Sequence, residues 1–293
     1  MDNSLICGVG TATVTPFKKD GSVDFETLES FVQFQLDGGV NFLVPLGTTG
    51  ETPTLTEDEQ VEILKLYLRM AAGKVPVVVG CTSNNTAEAI ERGNRFKEAG
   101  ATHILSACPY YNKPTQEGIY QHFKAIRQQT GLEIMLYNVP GRTASNAMPA
   151  TIARLAEEKM IFGVKEASGS ITQMQELCQR VNGALQVLSG DDAMTLPLMA
   201  VGGVGVVSVA GNIVPKAMRE WTDTITERNY VKAREQLKPL LPLFDACFVE
   251  SNPIPVKGGA KLLGLMEANY RLPMVPPSAD TMALMEKVLA PFR

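Results

Sequence analysis

His103-Ile-Leu-Ser-Ala107 and Ile134-Met-Leu-Tyr-Asn138 are two short apolar runs, and what lies between them decides the fold. Each has the length of a buried strand. Between them Thr115 offers a hydroxyl that can cap a helix, and Ile119, Phe123 and Ile126 recur at the spacing of one helical face. Strand, helix and strand in succession make a parallel pair, because only a crossover returns the chain in the same direction.

The unit repeats to either side. Apolar runs at 10–14, 42–46, 75–80, 103–107, 134–138, 162–165, 185–189 and 204–209 supply eight strand signals. Asp24 precedes Phe25, Leu28 and Val32. Thr56-Glu-Asp-Glu59 has capping-box form ahead of Val61, Leu64, Leu68 and Ala71, and Asn84 or Asn85 opens a helix that closes at Gly100. Eight units without a break between halves predict a closed (β/α)₈ TIM barrel rather than an open sheet. The open alternative also lacks its phosphate-binding turn. Gly8-Val-Gly10 lies before the first strand instead of after it, and no Gly-Lys-Ser/Thr loop occurs. Strand signals stop near residue 210. We read residues 1–210 as the barrel core and 211–293 as a C-terminal helical region packed on it. Pro253, Pro255, Pro273, Pro276 and Pro277 punctuate that region into three or four helices, one of them closing the barrel.

A chain of 293 residues can bury a substantial core as one barrel. A formal charge of −4 and a mean hydropathy near zero give no case for nucleic acid or an anionic membrane as partner. The N-terminal Met1-Asp-Asn-Ser-Leu-Ile-Cys-Gly8 has neither the basic nor the apolar part of a signal peptide. No apolar run approaches the roughly 20 residues of a membrane span, so a cytoplasmic location is expected. The five cysteines, Cys7, Cys81, Cys108, Cys178 and Cys247, are odd in number and widely spaced, which fits reduced thiols rather than disulfides or zinc.

Barrel chemistry sits at the C-terminal ends of the strands. The second run leads into Gly47-Thr-Thr-Gly-Glu51, either a tight turn or a cradle of hydroxyls and free amides for a carboxylate. The fourth leads into Pro109-Tyr-Tyr-Asn-Lys-Pro114 and the fifth into Tyr137-Asn-Val-Pro-Gly-Arg-Thr143. The sixth ends on Lys165, followed by Glu-Ala-Ser-Gly169, and the seventh leads into Ser189-Gly-Asp-Asp192. Asp191 and Asp192 read as helix caps or as acids. Lys165 reads as a solvated strand terminator or as a reactive amine. Lys257, after Pro253-Ile-Pro-Val, sits at a loop or a helix entry. His103 lies inside an apolar run and His122 beside Phe123, both placed for structural roles. No Gly-x-Ser-x-Gly and no His-Glu-x-x-His occur, so serine-hydrolase and zinc-protease chemistry lack their central residues. What is left suits an amine acting on a carbonyl. A desolvated lysine is partly neutral, attacks a ketone to give a Schiff base, and a nearby tyrosine moves the protons.

Taken in order, Thr13-Val-Thr-Pro-Phe17, Gly47-Thr-Thr-Gly-Glu51, Pro109-Tyr-Tyr-Asn112, Tyr137-Asn-Val-Pro-Gly-Arg-Thr143, Gly163-Val-Lys-Glu-Ala-Ser168, Ser189-Gly-Asp-Asp192 and Asn252-Pro-Ile-Pro-Val-Lys257 resemble the dihydrodipicolinate (4-hydroxy-tetrahydrodipicolinate) synthase family. That family belongs to the pyruvate-dependent class I aldolases, as does N-acetylneuraminate lyase. The resemblance implies a (β/α)₈ barrel with a helical C-terminal region, a homotetramer of two tight dimers, and no cofactor or metal. It implies the condensation of pyruvate with L-aspartate 4-semialdehyde on the diaminopimelate route to lysine. Lys165 would form the Schiff base, Tyr137 would give and take protons, and Thr48 would link it to Tyr111 in a relay that reaches the neighbouring subunit. Thr49 would hold the pyruvate carboxylate and Arg142 that of the semialdehyde, with Gly190 and Val207 contributing by closeness and backbone. Asn84, Glu88 and Tyr110 match an inhibitory lysine site, but Glu57 and Gln60 stand where sensitive bacterial members often carry histidines, which implies weak or altered lysine binding. Arg142 favours the synthase over a sibling aldolase that cleaves N-acetylneuraminate or a 2-keto-3-deoxy acid. A keto-acid sensor without turnover would show a broken catalytic set, whereas Lys165, Tyr137, Thr48 and Tyr111 are all present.

Overall fold

The computed structural model describes residues 6–293; the leader reading above rests partly on residues 1–5, which lie outside the described residues. The chain alternates strand and helix as the repeating unit predicts. The strands are β1 (Gly8–Ala12), β2 (Phe42–Val44), β3 (Val78–Gly80), β4 (His103–Ala107), β5 (Glu133–Asn138), β6 (Gly163–Glu166), β7 (Gln186–Ser189) and β8 (Gly205–Ser208). All pairings are parallel, in the order β2-β1-β8-β7-β6-β5-β4-β3. A shorter junction joins β2 to β3 and closes the ring. Leu43 bridges to Val77, and the N–H groups of Leu43 and Gly80 donate to Pro76 O and Pro45 O at 3.0 and 2.8 Å.

Outside the ring run α1 (Phe25–Asp37), α2 (Glu57–Ala71), α3 (Thr86–Glu98), α4 (Gln116–Thr130), the single turn α5 (Pro140–Thr143), α6 (Pro149–Glu157), α7 (Ile171–Val181), the short α8 (Thr195–Ala200) and α9 (Pro215–Thr226). Their starts follow the expected capping chemistry. Asp24, Asn85 and Thr115 each accept a first-turn N–H, and Thr56 and Glu59 complete a reciprocal capping box. The helices α10 (Tyr230–Ala246), α11 (Ile254–Leu262) and α12 (Ala279–Leu289) complete the chain. The buried Trp221 of α9 donates Nε1–H to Ala233 O at 3.0 Å, fastening α10 to the barrel wall.

Strand alternation sorts the side chains into two layers. Leu136, Val164 and Val187 face the helices, while Met135, Tyr137, Leu188 and Val207 fill the ring with Phe42 and Leu105. Most strand ends lie within one residue of expectation, and three of the four larger shifts have backbone reasons, the fourth being the end of β1 at Ala12. β3 starts at Val78 because Pro76 has no N–H to extend the ladder. β2 stops at Val44 because Pro45 follows and Leu46 turns to φ 58°. β1 begins two residues early, at glycines whose missing side chains conceal a strand from an apolar count.

Candidate active site

Tyr137 and Lys165 are register partners on adjacent strands, so both side chains point into the ring near its C-terminal end. The Lys165 amine lies 4.2 Å from the centroid of the Tyr137 ring. The residue is 5% exposed, and among the described residues no hydrogen bond or ion pair reaches its Nζ. Burial therefore dominates its titration and brings the pKa down to about 7, with Asp192 opposing the shift and Arg142 adding to it. Burial also pushes the Tyr137 phenol up to about 12, Arg142 opposing and Asp191 adding. Near neutral pH this places a partly neutral amine beside a phenol that keeps its proton.

The Lys165 stem needs room, and Gly190 after β7 supplies it. A Cβ at that position would sit 2.8 Å from Ala167 Cβ and 3.0 Å from Lys165 Cγ. Asp191 caps a short turn through Ala193 N–H at 2.9 Å. Asp192 does not cap its own turn: its buried Oδ2 accepts the N–H groups of Val209 and Ala210, both at 3.0 Å, tying β7 to the chain after β8. Val207 faces the ring interior from β8.

Gly47-Thr-Thr-Gly-Glu51 forms a tight turn at the end of β2, with Thr49 buried and Thr48 exposed. It is clamped from the far end of the chain. Asn252 Nδ2 donates to Thr49 Oγ1 at 2.9 Å. Glu51, at φ 55°, accepts Lys257 Nζ at 2.6 Å. Lys257, in the first turn of α11, also donates to Asn269 O at 2.6 Å and lies over the rings of Phe17 and Tyr270.

Arg142 sits exposed on α5, at the rim. A buried polar network holds the segment that carries it. Asn138 Oδ1 accepts Ala147 N–H at 2.9 Å, and its Nδ2 donates to Asn146 Oδ1 at 2.9 Å and Glu166 Oε2 at 3.0 Å. Burial raises the Glu166 carboxyl, whose Oε1 accepts Ser168 N–H at 2.7 Å. Tyr111 is 87% exposed, at φ 72°, with its N–H on Thr143 O at 3.3 Å. The expected relay is not closed within one chain: no described hydrogen bond joins Tyr111 to Thr48 or Tyr137.

The expected regulatory residues cluster separately. Asn84 Nδ2 donates to Tyr110 O at 3.2 Å, and Glu88 accepts Ser83 Oγ–H at 2.8 Å. Glu57 pairs with Arg95, and the buried Gln60 amide donates to Leu55 O at 3.1 Å, fixing the start of α2. His103 begins β4, at the opposite end of the strands from Lys165. His122 is buried against Phe123, with its pKa brought down to about 4 by burial.

A family model for the dihydrodipicolinate synthetase family matches residues 5–291. The chain belongs to that family. Within the dihydrodipicolinate synthetase family, the 4-hydroxy-tetrahydrodipicolinate synthase of Koribacter versatilis is 50% identical over 284 residues, 97% of this chain and 95% of its own. The solved dihydrodipicolinate synthase of Thermotoga maritima superposes with a TM-score of 0.95 at 45% identity, covering 97% of this chain and 98% of its own. A monomeric dihydrodipicolinate synthase variant matches with a TM-score of 0.95 at 44% identity, over 98% of this chain and 97% of its own. Membership of the dihydrodipicolinate synthetase family makes the chain a lyase of the class I aldolase group. No helix among the described residues is long and apolar enough to cross a membrane.

Sequence reading missed the residues that hold the Gly47–Glu51 turn and the loop after Lys165 in place. Asn252 and Lys257 lie in a quoted motif, yet their partners Thr49 and Glu51 stand about two hundred positions away. Glu166 follows Lys165 directly, but only the folded loop reveals what it anchors.

Proposed function

We propose that this protein condenses pyruvate with L-aspartate 4-semialdehyde, the reaction expected of 4-hydroxy-tetrahydrodipicolinate synthases. The observation that carries the reading is the buried, unpaired Lys165 amine against Tyr137 on the functional rim. The neutral amine adds to the pyruvate ketone, and the carbinolamine loses water as Tyr137 supplies a proton. The resulting iminium draws electrons from the methyl group. Loss of a methyl proton to the tyrosine relay leaves an enamine, whose carbon attacks the aldehyde of the second substrate. The aldehyde oxygen takes a proton from Tyr137. The substrate's own amino group then displaces Lys165 from the imine and closes a ring, freeing the enzyme. Thr49 and the turn amides hold the pyruvate carboxylate. Arg142 grips the semialdehyde carboxylate with its planar fork, and Gly190 and Val207 line the pocket. The scheme uses no cofactor or metal.

Tyr111 supports an assembled enzyme: its exposure and its backbone tie to the Arg142 segment suit a side chain completing the relay through Thr48 in a neighbouring subunit. We place the protein in the cytoplasm as a homotetramer of tight dimers; sedimentation showing an active monomer would contradict the assembly. Lysine binds weakly at Asn84, Glu88 and Tyr110, because the Gln60 amide is already committed to Leu55 O. Half-inhibition at sub-millimolar L-lysine would contradict that.

The deciding assay couples the condensation product to the downstream reductase. Arg142→Ala should raise the KM for the semialdehyde on the order of 10²-fold, the loss of a charged hydrogen-bonding partner, and leave the pyruvate KM nearly unchanged. Cleavage of N-acetylneuraminate that survives the substitution would point to a sugar-acid aldolase instead.

A further inference from the structure

We infer that Asn252 is a positioning residue for pyruvate binding, one that turns the Thr49 hydroxyl into a donor for the substrate carboxylate. The inference deepens the proposed function and rests on it. Thr49 Oγ has one proton and two lone pairs. Asn252 Nδ2–H occupies a lone pair at 2.9 Å, and Thr49 Oγ–H donates to no described residue. The hydroxyl proton is thereby left for a ligand. Nor do the backbone N–H groups of Thr48 and Thr49 meet any described acceptor, so one turn carries three donors without a partner among the described residues. Thr49 is 3% exposed and Asn252 4%, which makes the contact a dry one and strengthens it.

Asn252 keeps this orientation at a cost: its Oδ1 is buried without a partner among the described residues. Buried amide oxygens are ordinarily satisfied, and the exception is explained if the amide serves the turn rather than itself. The other end of the turn is held by Glu51 on Lys257, so the cradle cannot drift away from Asn252. Two groups at the entrance to α11 thus reach back across the barrel mouth to fix the first substrate's anchor.

The test titrates pyruvate against the wild type and variants, following both turnover and borohydride-trapped mass on Lys165. Asn252→Ala should raise the apparent KM and the half-saturating pyruvate for trapping about tenfold, the equivalent of one hydrogen bond to a charged group, while the semialdehyde KM moves less than about twofold. The Asn252→Ala/Thr49→Val double variant should be no worse than Thr49→Val alone, because Asn252 acts through that hydroxyl. Additive losses, an unchanged pyruvate KM, or equal losses for both substrates would overturn the inference. Should Asn252→Ala fail to fold, the isosteric Asn252→Asp serves. Its carboxylate only accepts, turning the Thr49 proton away, and the pyruvate KM should rise more than tenfold; no rise overturns the inference. Absence of a wild-type adduct on Lys165 would instead refute the proposed function.

Discussion

Lys165 and Lys257 are both buried lysines at the mouth of the same barrel, and they do opposite things. Lys257 is 0% exposed and fully engaged by Glu51 Oε1, Asn269 O and two aromatic faces. Burial lowers its pKa, but the Glu51 carboxylate pulls it back toward the charged form. Lys165 has burial without such a partner. Asp192 acts on it only at a distance, with its Oδ2 already committed to two backbone amides. Burial alone therefore does not make a reactive amine. A buried ammonium matched by a carboxylate is a structural clamp, and an unmatched one is a nucleophile in waiting.

Exchanging each lysine for methionine should separate the two roles. Lys165→Met should lower kcat/KM on the order of 10⁴-fold, as removal of a covalent nucleophile does. Lys257→Met should lose about 3–5 kcal/mol of stability by leaving Glu51 buried and unpaired. Adding Glu51→Gln should recover most of it, and urea or thermal unfolding reads both. If the single and double variants unfold alike, the clamp reading fails.

The same substitution at Lys165 should instead stabilise the protein. Its folded pKa of about 7 lies below the ordinary lysine value of 10.5, so the unfolded chain binds more protons across that window. The native state accordingly gains stability from this group as pH rises from about 7 to 10.5, and the cost of the buried lysine is largest at and below pH 7. Lys165→Met should gain on the order of a few kcal/mol at pH 7 and nothing above about pH 10.5. A gain independent of pH would break the comparison.

Two smaller effects sharpen it. Gly190→Ala places a methyl against the Lys165 stem, and displacement of the amine should slow turnover roughly tenfold. Unaltered kinetics would show that the stem is not held there. In wild-type protein, kcat/KM for pyruvate should fall below about pH 7 as the amine protonates, approaching tenfold per unit. A flat profile down to pH 5 would mean that Lys165 is not the titrating group.

The fold was legible because its signals are local. Eight apolar runs and the capping residues Asp24, Thr56, Asn85 and Thr115 lie within a few positions of the elements they start. Most boundaries moved by no more than one residue; the larger shifts fall at Pro76, at Leu46 and at the glycines of β1, and β1 also ends two residues early, at Ala12. Lys165 and Tyr137 were legible as strand-end residues, since period-two alternation sends both inward. The motif resemblance, rather than spacing, supplied their roles. Contacts of long range were not legible: nothing in the composition of Gly47–Glu51 announces Asn252 or Lys257. One covered oxygen, one shared hydroxyl and one ion pair arise only when the chain's two ends meet.

The most direct measurement reduces the protein with borohydride in the presence of pyruvate and maps the modified peptide by mass. One reduced pyruvyl adduct is expected on Lys165, with Lys257 unmodified and no adduct in Lys165→Met. An adduct on Lys257, or on no lysine at all, would contradict that expectation.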